Sequence, residues 1–211
     1  MSARPVIAID GPAAAGKGTL ARRLAAELGL PYLDTGLLYR AVARRVLDNA
    51  EDPADARAAE RAALSLRPQD LDRSDLRAPA VDAASSAVAA VPAVRAALLA
   101  FQRDYAAGRG AVLDGRDIGT VVFPEADVKL YVTASLGARA ERRWRELQGR
   151  GVPADLATVE REMRSRDERD SKRAAAPMQA APDAQVLDTT SLDAEAAFAT
   201  ALAFVRGKLA R

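Results

Sequence analysis

The chain has 211 residues, 28% of them charged and 49% hydrophobic, with a formal net charge of only +2, the profile of a globular domain able to bury a substantial core. It contains no cysteine and no histidine, which removes disulfides, thiol catalysis, zinc–cysteine sites and the commonest general base. With 4% aromatics, no basic arm and no stacking pattern, the composition argues against polymeric nucleic acid as a partner.

The N-terminal segment carries the strongest signal. Val6, Ile7, Ala8 and Ile9 form an apolar, β-branched run ending at Asp10, as a buried parallel strand does. Gly11 and Gly16 then bracket Pro12, Ala13, Ala14 and Ala15, Lys17 and Gly18 follow, and a helical pattern runs from Thr19 to Leu28. Glycines and small side chains let backbone N–H groups curl around an anion, and the helix aims its positive end at the same point. Lys17 adds a full charge towards β- and γ-phosphates. A plain phosphate loop has Ser or Thr directly after the lysine, whereas Gly18 stands there. That leaves the Thr19 hydroxyl to approach Mg²⁺, directly or through water.

Leu30 to Asp34 reads as a second strand, and Thr35-Gly36 leads into a helix carrying Leu38, Tyr39, Val42, Val46 and Leu47. Residues 50–80 are polar, with Pro53, Pro68 and Pro79, and predict short helices or loops. A helical pair follows, one arm ending near Val91-Pro92 and the other running from Ala93 to about Ala106. Ala111–Asp114 is a third strand, and Asp127 to Thr133 a fourth. An arginine-rich helix begins near Ser135, a mobile segment spans Gly149–Asp155, and a second charged helix ends at Asp170. Ala184–Asp188 is the last strand, and Ser191, with Asp193 and Glu195 in the first turn, opens the final helix. Strands alternating with helices predict an α/β fold, a parallel sheet flanked by helices with ligand at the strands' carboxyl ends. No apolar run reaches transmembrane length and the start lacks a signal-peptide layout, so no membrane is expected and a cytoplasmic home is.

Beyond the loop, charged residues cluster twice. The third strand delivers Asp114-Gly115-Arg116-Asp117 to the mouth of the phosphate loop. Farther on, Arg164, Arg166, Asp167, Glu168, Arg169, Asp170, Lys172 and Arg173 crowd one region. By itself that run would be a solvated helix face, as would the Glu141/Arg145 and Glu146/Arg150 pairs. Only four of the basic residues are lysines; guanidinium forks suit phosphate.

Together these segments resemble the cytidylate kinases of bacterial type. The resemblance rests on Ile9-Asp10-Gly11-Pro12 through Gly18-Thr19, and on Leu33-Asp34-Thr35-Gly36 with Tyr39-Arg40. It continues in Ala84-Ser85-Ser86 with Pro92, Val94 and Arg95, in Asp114 through Pro124, and in Arg166-Asp167, Asp170, Arg173 and Pro177. The resemblance implies transfer of the γ-phosphoryl group of ATP to CMP or dCMP, with Mg²⁺, by a monomer. It implies that Gly11 to Thr19 hold the donor and that Arg40, Arg116 and Arg173 grip the acceptor phosphate. Ser86, Arg95 and Asp117 would read cytosine, and Thr35, Arg166 and Asp170 the sugar. Arginines of the 139–150 helix would close over ATP. It also implies a core of about residues 1–34, 108–140 and 170–211, an acceptor-binding insert of about 35–107 and a lid of about 141–169. Thr35 replaces the family's common serine, and residues 50–80 are shorter than the usual insert and show no β-meander pattern. Another P-loop small-molecule kinase, for a different nucleotide or a shikimate-like metabolite, is the nearest alternative. A GTPase switch is disfavoured because none of the four lysines sits in a guanine-reading Asn/Thr-Lys-x-Asp motif.

Overall fold

The computed structural model describes residues 4–210. Its contacts divide the chain into two compact units, Asp34–Ala107 and the remainder, Met1–Leu33 with Gly108–Arg211. A five-stranded sheet runs in the order β2-β3-β1-β4-β5, formed by β1 (Val6–Asp10), β2 (Tyr32–Asp34), β3 (Ala111–Asp114), β4 (Val128–Thr133) and β5 (Gln185–Asp188). The pairings β1–β3, β1–β4 and β4–β5 are parallel, with Ile9 opposite Asp114 and Leu130. β1 is therefore central, which is why Ile7, Ala8 and Ile9 read as a continuous apolar run and not as an alternating one.

Helices α1 (Lys17–Leu28) and α8 (Ala194–Leu209) pack on this sheet through Leu20, Leu24, Ala201 and Val205 against Ile7, Ile9, Val112, Leu130 and Val132. The first helix starts two residues before the predicted Thr19, because Gly16 takes a left-handed conformation (φ 91°) and turns the chain into helix at once. The last helix starts later than predicted. Asp193, not Ser191, caps it, its carboxylate accepting from the Ala196 N–H at 2.8 Å. Helices α6 (Leu136–Gly149) and α7 (Leu156–Ser171) enclose a small core of Ala140, Leu147, Val159 and Met163. The link between them, expected to be mobile, is tied back by Trp144 Nε1 donating to the Ala154 carbonyl at 3.0 Å and by the Val152 N–H donating to Leu147 at 2.9 Å.

The unit 34–107 is helical: α2 (Thr35–Asp48), α3 (Ala56–Leu64), α4 (Pro79–Val88), α5 (Pro92–Ala106) and two one-turn 3₁₀ segments, Pro68–Asp72 and Ser74–Arg77. No strand lies between residues 35 and 107, in keeping with the absence of a meander pattern. Asp55 caps α3 by accepting from the Arg57 and Ala58 N–H groups, and Val42, Val46, Val81, Val88 and Val94 fill the core among alanines 43, 59, 62 and 84. Among the described residues, no single helix is long and apolar enough to cross a membrane.

Candidate active site

The loop between β1 and α1 is built on backbone constraints. Gly11 has φ 139°, and a Cβ there would lie 1.9 Å from the Val132 carbonyl oxygen, so only glycine lets the loop leave β1 beside β4. Ala14 (φ 58°) and Gly16 (φ 91°) are also left-handed, and alternating hand of this kind curls successive amides into an anion-binding nest. Three of the loop's carbonyls accept a side-chain donor. Pro12 receives Lys17 Nζ at 2.8 Å, Ala13 receives Arg139 Nη1 at 3.3 Å, and Ala15 receives Thr189 Oγ1 at 3.1 Å. Lys17 is only 6% exposed.

Beside the loop, Asp10 at the end of β1 accepts from the Ile118 and Gly119 N–H groups, both at 2.7 Å. It thereby holds the turn Ile118–Val122, a single π-helical turn, against the sheet. Burial is the largest influence on Asp10 and pushes its pKa to about 6, against the two backbone donors; the charge of Asp117 adds to the rise and Lys17 opposes it. An acid raised in this way stabilises the fold when protonated; the contribution is complete below its ordinary value and is lost as pH rises through about 6. The Asp10→Asn variant lacks this titration. The stability of the unaltered protein relative to that variant is expected to fall by on the order of 1–3 kcal/mol from acid to neutral pH, as measured by denaturant melts. A flat or rising difference would contradict the buried carboxylate.

The charged run of α7 separates by helical period. Arg164 pairs with Glu160 and Lys172 with Glu168 on the exposed side, the ordinary solvated face. Arg166, Asp167 and Asp170 turn inward, with Arg173 just beyond the helix. Asp170 is 2% exposed and gathers three guanidiniums: Arg173 binds one oxygen, Arg116 Nε lies 3.2 Å from the other and Arg166 Nε 4.0 Å from that same atom. Its own carbonyl accepts the Met178 N–H at 2.8 Å, which fixes the chain leaving the helix. A buried carboxylate holding several arginines keeps a multiply cationic group folded and turned to one place. Tyr131 of β4 lies among these charges. Burial first, and then Asp10, raise its pKa, while Arg116 and Arg139 lower it.

In the unit 34–107, Arg40 pairs with Asp82 at 2.6 Å, and Arg95 lies over the Tyr39 ring at 5.6 Å while donating to the Ala89 carbonyl at 3.3 Å. Thr35 and Ser86 are buried, at 2% and 3% exposure. The arginines expected to close over a nucleotide are not equivalent. Arg139 is 5% exposed, with Nε on the Ala134 carbonyl, Nη1 on Ala13 and Nη2 on Asp167. Its guanidinium is thus held by protein oxygens from the phosphate loop, α7 and its own N-terminal turn. Arg142 binds Thr189, through Oγ1 at 3.0 Å and the carbonyl at 2.5 Å.

Two features went unassigned in the sequence. One is a cavity of about 280 Å³ flanking the loop, lined by Gly16, Thr19, Leu20, Val132, Thr189 and Leu192 among others; its walls come from four segments far apart in sequence. The other is Asp114 at the end of β3, 7% exposed. A Cβ on Gly18 would lie 3.5 Å from its Oδ2, and Tyr32 donates to its Oδ1 at 3.0 Å. A carboxylate ending the strand next to the loop strand was the available signal.

A lysine-bearing amide nest between the central strand and first helix of a parallel sheet defines a P-loop nucleotide-binding α/β protein. Two solved structures share the fold: an uncharacterized protein from Eubacterium ventriosum (TM-score 0.58, 14% identity, 96% of this chain and 99% of that one) and TT1252 from Thermus thermophilus (TM-score 0.50, 23% identity, 98% of each). The family model described as cytidylate kinase matches residues 7–206. Proteins named cytidylate kinase from Acidiphilium cryptum and Granulibacter bethesdensis are 63% and 62% identical to it, covering 98% and 99% of this chain and 97% and 100% of their own. The chain belongs to the cytidylate kinase family.

Proposed function

We propose that the protein transfers the γ-phosphoryl group of ATP to CMP or dCMP. The acceptor's phosphate oxygen forms a new P–O bond, the bond from the γ-phosphorus to the β,γ-bridging oxygen breaks, and that electron pair leaves on ADP. The attacking oxygen is already anionic, so a chain without histidine or cysteine suffices. What the reaction demands is alignment and neutralisation of two highly charged groups. The observation that carries this reading is the pairing, on one unit, of the Lys17 phosphate loop with the Arg116–Arg173 cluster around Asp170, in a chain whose family is settled.

In this reading Gly11 to Thr19 wrap the triphosphate, and the neighbouring cavity takes the donor nucleoside, its apolar walls Leu20, Val132 and Leu192 suiting a base. Arg40, Arg116 and Arg173 grip the acceptor phosphate, Thr35, Arg166 and Asp170 the sugar, and Ser86, Arg95 and Asp117 the base. No group of three or more carboxylates able to hold a metal occurs among the described residues. That fits Mg²⁺, which binds through one or two protein oxygens and the phosphates themselves. Thr19 and the buried Asp114 are the oxygen donors this chain would offer it. Bound there, the ion would neutralise charge on the β- and γ-phosphates. A monomer, as the family resemblance implies, and a cytoplasmic home complete this reading.

Base choice is the test. Cytosine presents an amino donor beside a ring-nitrogen acceptor, and uracil reverses both, so uracil would set a carbonyl against the Asp117 carboxylate. Mispaired buried polar groups cost about 1–3 kcal/mol each, so kcat/KM for CMP should exceed that for UMP by at least about tenfold. Asp117→Ala should narrow the ratio, mainly by lowering the CMP value. If both substrates fall by one factor, Asp117 positions Arg116 and does not read the base. Turnover of AMP or shikimate ahead of CMP and dCMP in the same ADP-release assay would favour the other P-loop kinases.

A further inference from the structure

The anchors of the phosphate loop extend beyond the loop itself. A trans peptide holds the C=O of one residue antiparallel to the N–H of the next, and no peptide bond among the described residues is cis. A donor that fixes the Ala13 carbonyl therefore also fixes the direction of the Ala14 N–H. Ala14 is a non-glycine residue at φ 58°, a conformation costing of order 1–3 kcal/mol that persists only where surroundings enforce it. Two things enforce it here. The methyl groups of Ala13 and Ala14 pack on the core shared by α6 and α7, and the buried guanidinium of Arg139 holds the Ala13 carbonyl.

Arg139 is itself held from α7. Its Nη2 lies 2.7 Å from Asp167 Oδ2, while the buried Oδ1 of that carboxylate has no hydrogen-bond partner. Asp167 thus depends on Arg139 alone among the described residues. It also precedes Asp170, which gathers the arginines, on the same inward face of the helix. The chain Ala13–Arg139–Asp167 links the loop's least relaxed residue to the helix that carries the second charged cluster.

We propose that Arg139, braced by Asp167, is a positioning residue for the donor: it turns the Ala13–Ala14 peptide so that the Ala14 N–H faces the donor phosphates. It touches no substrate and acts only through that peptide. This rests on the donor reading of the loop given above.

The test is a calorimetric titration of the full-length protein with MgADP, without acceptor, together with KM for ATP and for CMP, on Arg139→Lys, Asp167→Asn and the double variant. Asp167→Asn is isosteric and Arg139→Lys keeps the charge, so each is expected to fold, which melting curves check. Each single variant is expected to weaken MgADP binding by roughly tenfold and to raise KM for ATP in proportion. KM for CMP should stay within about twofold, and the double variant should be little worse than either single one. A merely structural role would lower the melting temperature without separating donor from acceptor. MgADP affinity unchanged in both single variants, or donor and acceptor constants worsening by one factor, would overturn the proposal. Failure of the unaltered protein to bind MgADP would overturn it together with the donor reading. Should the unaltered protein bind MgADP but reject CMP, only the acceptor assignment falls, and the MgADP ratios still decide the role of Arg139.

Discussion

Lys17→Met is expected to leave a folded protein whose kcat is about 10²–10³-fold lower, the loss of about 3–4 kcal/mol that follows removal of one group stabilising transition-state charge. The side chain lies 6% exposed at the head of α1, with Nζ on the Pro12 carbonyl. Methionine is of similar length and a good helix former, so the core contacts of its stem survive while the charge and one carbonyl partner go. Because no histidine or cysteine exists to substitute, the residual rate reports what alignment, the arginines and the bound cation achieve without Lys17. An ADP-release assay with saturating CMP gives kcat, and far-UV circular dichroism checks folding. A folded variant retaining more than about a third of the original kcat would sink the assignment of Lys17 to the reacting phosphates.

The second large effect is expected from Arg116→Lys and Arg173→Lys, each lowering kcat/KM for CMP by roughly 10- to 100-fold although the charge is kept. Both arginines share the Asp170 carboxylate, Arg116 through Nε at 3.2 Å. A guanidinium can hold that carboxylate on one edge and offer the other edge to a phosphate. An ammonium ion is a point charge and cannot do both in a fixed plane. Asp170→Asn provides the complementary check, because it leaves the arginines with less countercharge at the centre of the cluster. If all three variants match the parent in kcat/KM for CMP, the cluster is a structural network and the acceptor phosphate is held elsewhere.

The parts legible in the sequence were those whose cause is local. β1 was readable because a central parallel strand must be apolar throughout, and the loop because small residues at fixed spacing serve one geometry. The strand at 111–114 was readable for the same reason as β1, and that at 128–133 by the alternation of Val128, Leu130 and Val132 with Lys129 and Tyr131. Errors fell where neighbouring signals compete. Ser191 and Asp193 are both good caps, and only the structure shows which one accepts the Ala196 N–H. Gly16, read as part of the nest, also starts the helix, which moved its boundary to Lys17. In α7 the run of alternating charges hid a division that the helical period makes: residues 160, 164, 168 and 172 outward, 166, 167 and 170 inward. The partners of Arg139 were not legible, since nothing within α6 tells that they are a loop carbonyl 126 positions earlier and a carboxylate on α7. Long-range pairing of this kind leaves no periodic trace.

The bond from Lys17 to the Pro12 carbonyl has a consequence for how a nucleotide is received. A lysine carries about 2 kcal/mol of rotameric freedom, and an exposed one surrenders it at the moment of binding. Here the side chain is already confined by burial and by its own loop, so that entropy was lost when the chain folded. Capturing the triphosphate then requires the ammonium group to exchange or share acceptors such as the Pro12 carbonyl, with little further ordering of its stem. The donor meets a cation that is already in place.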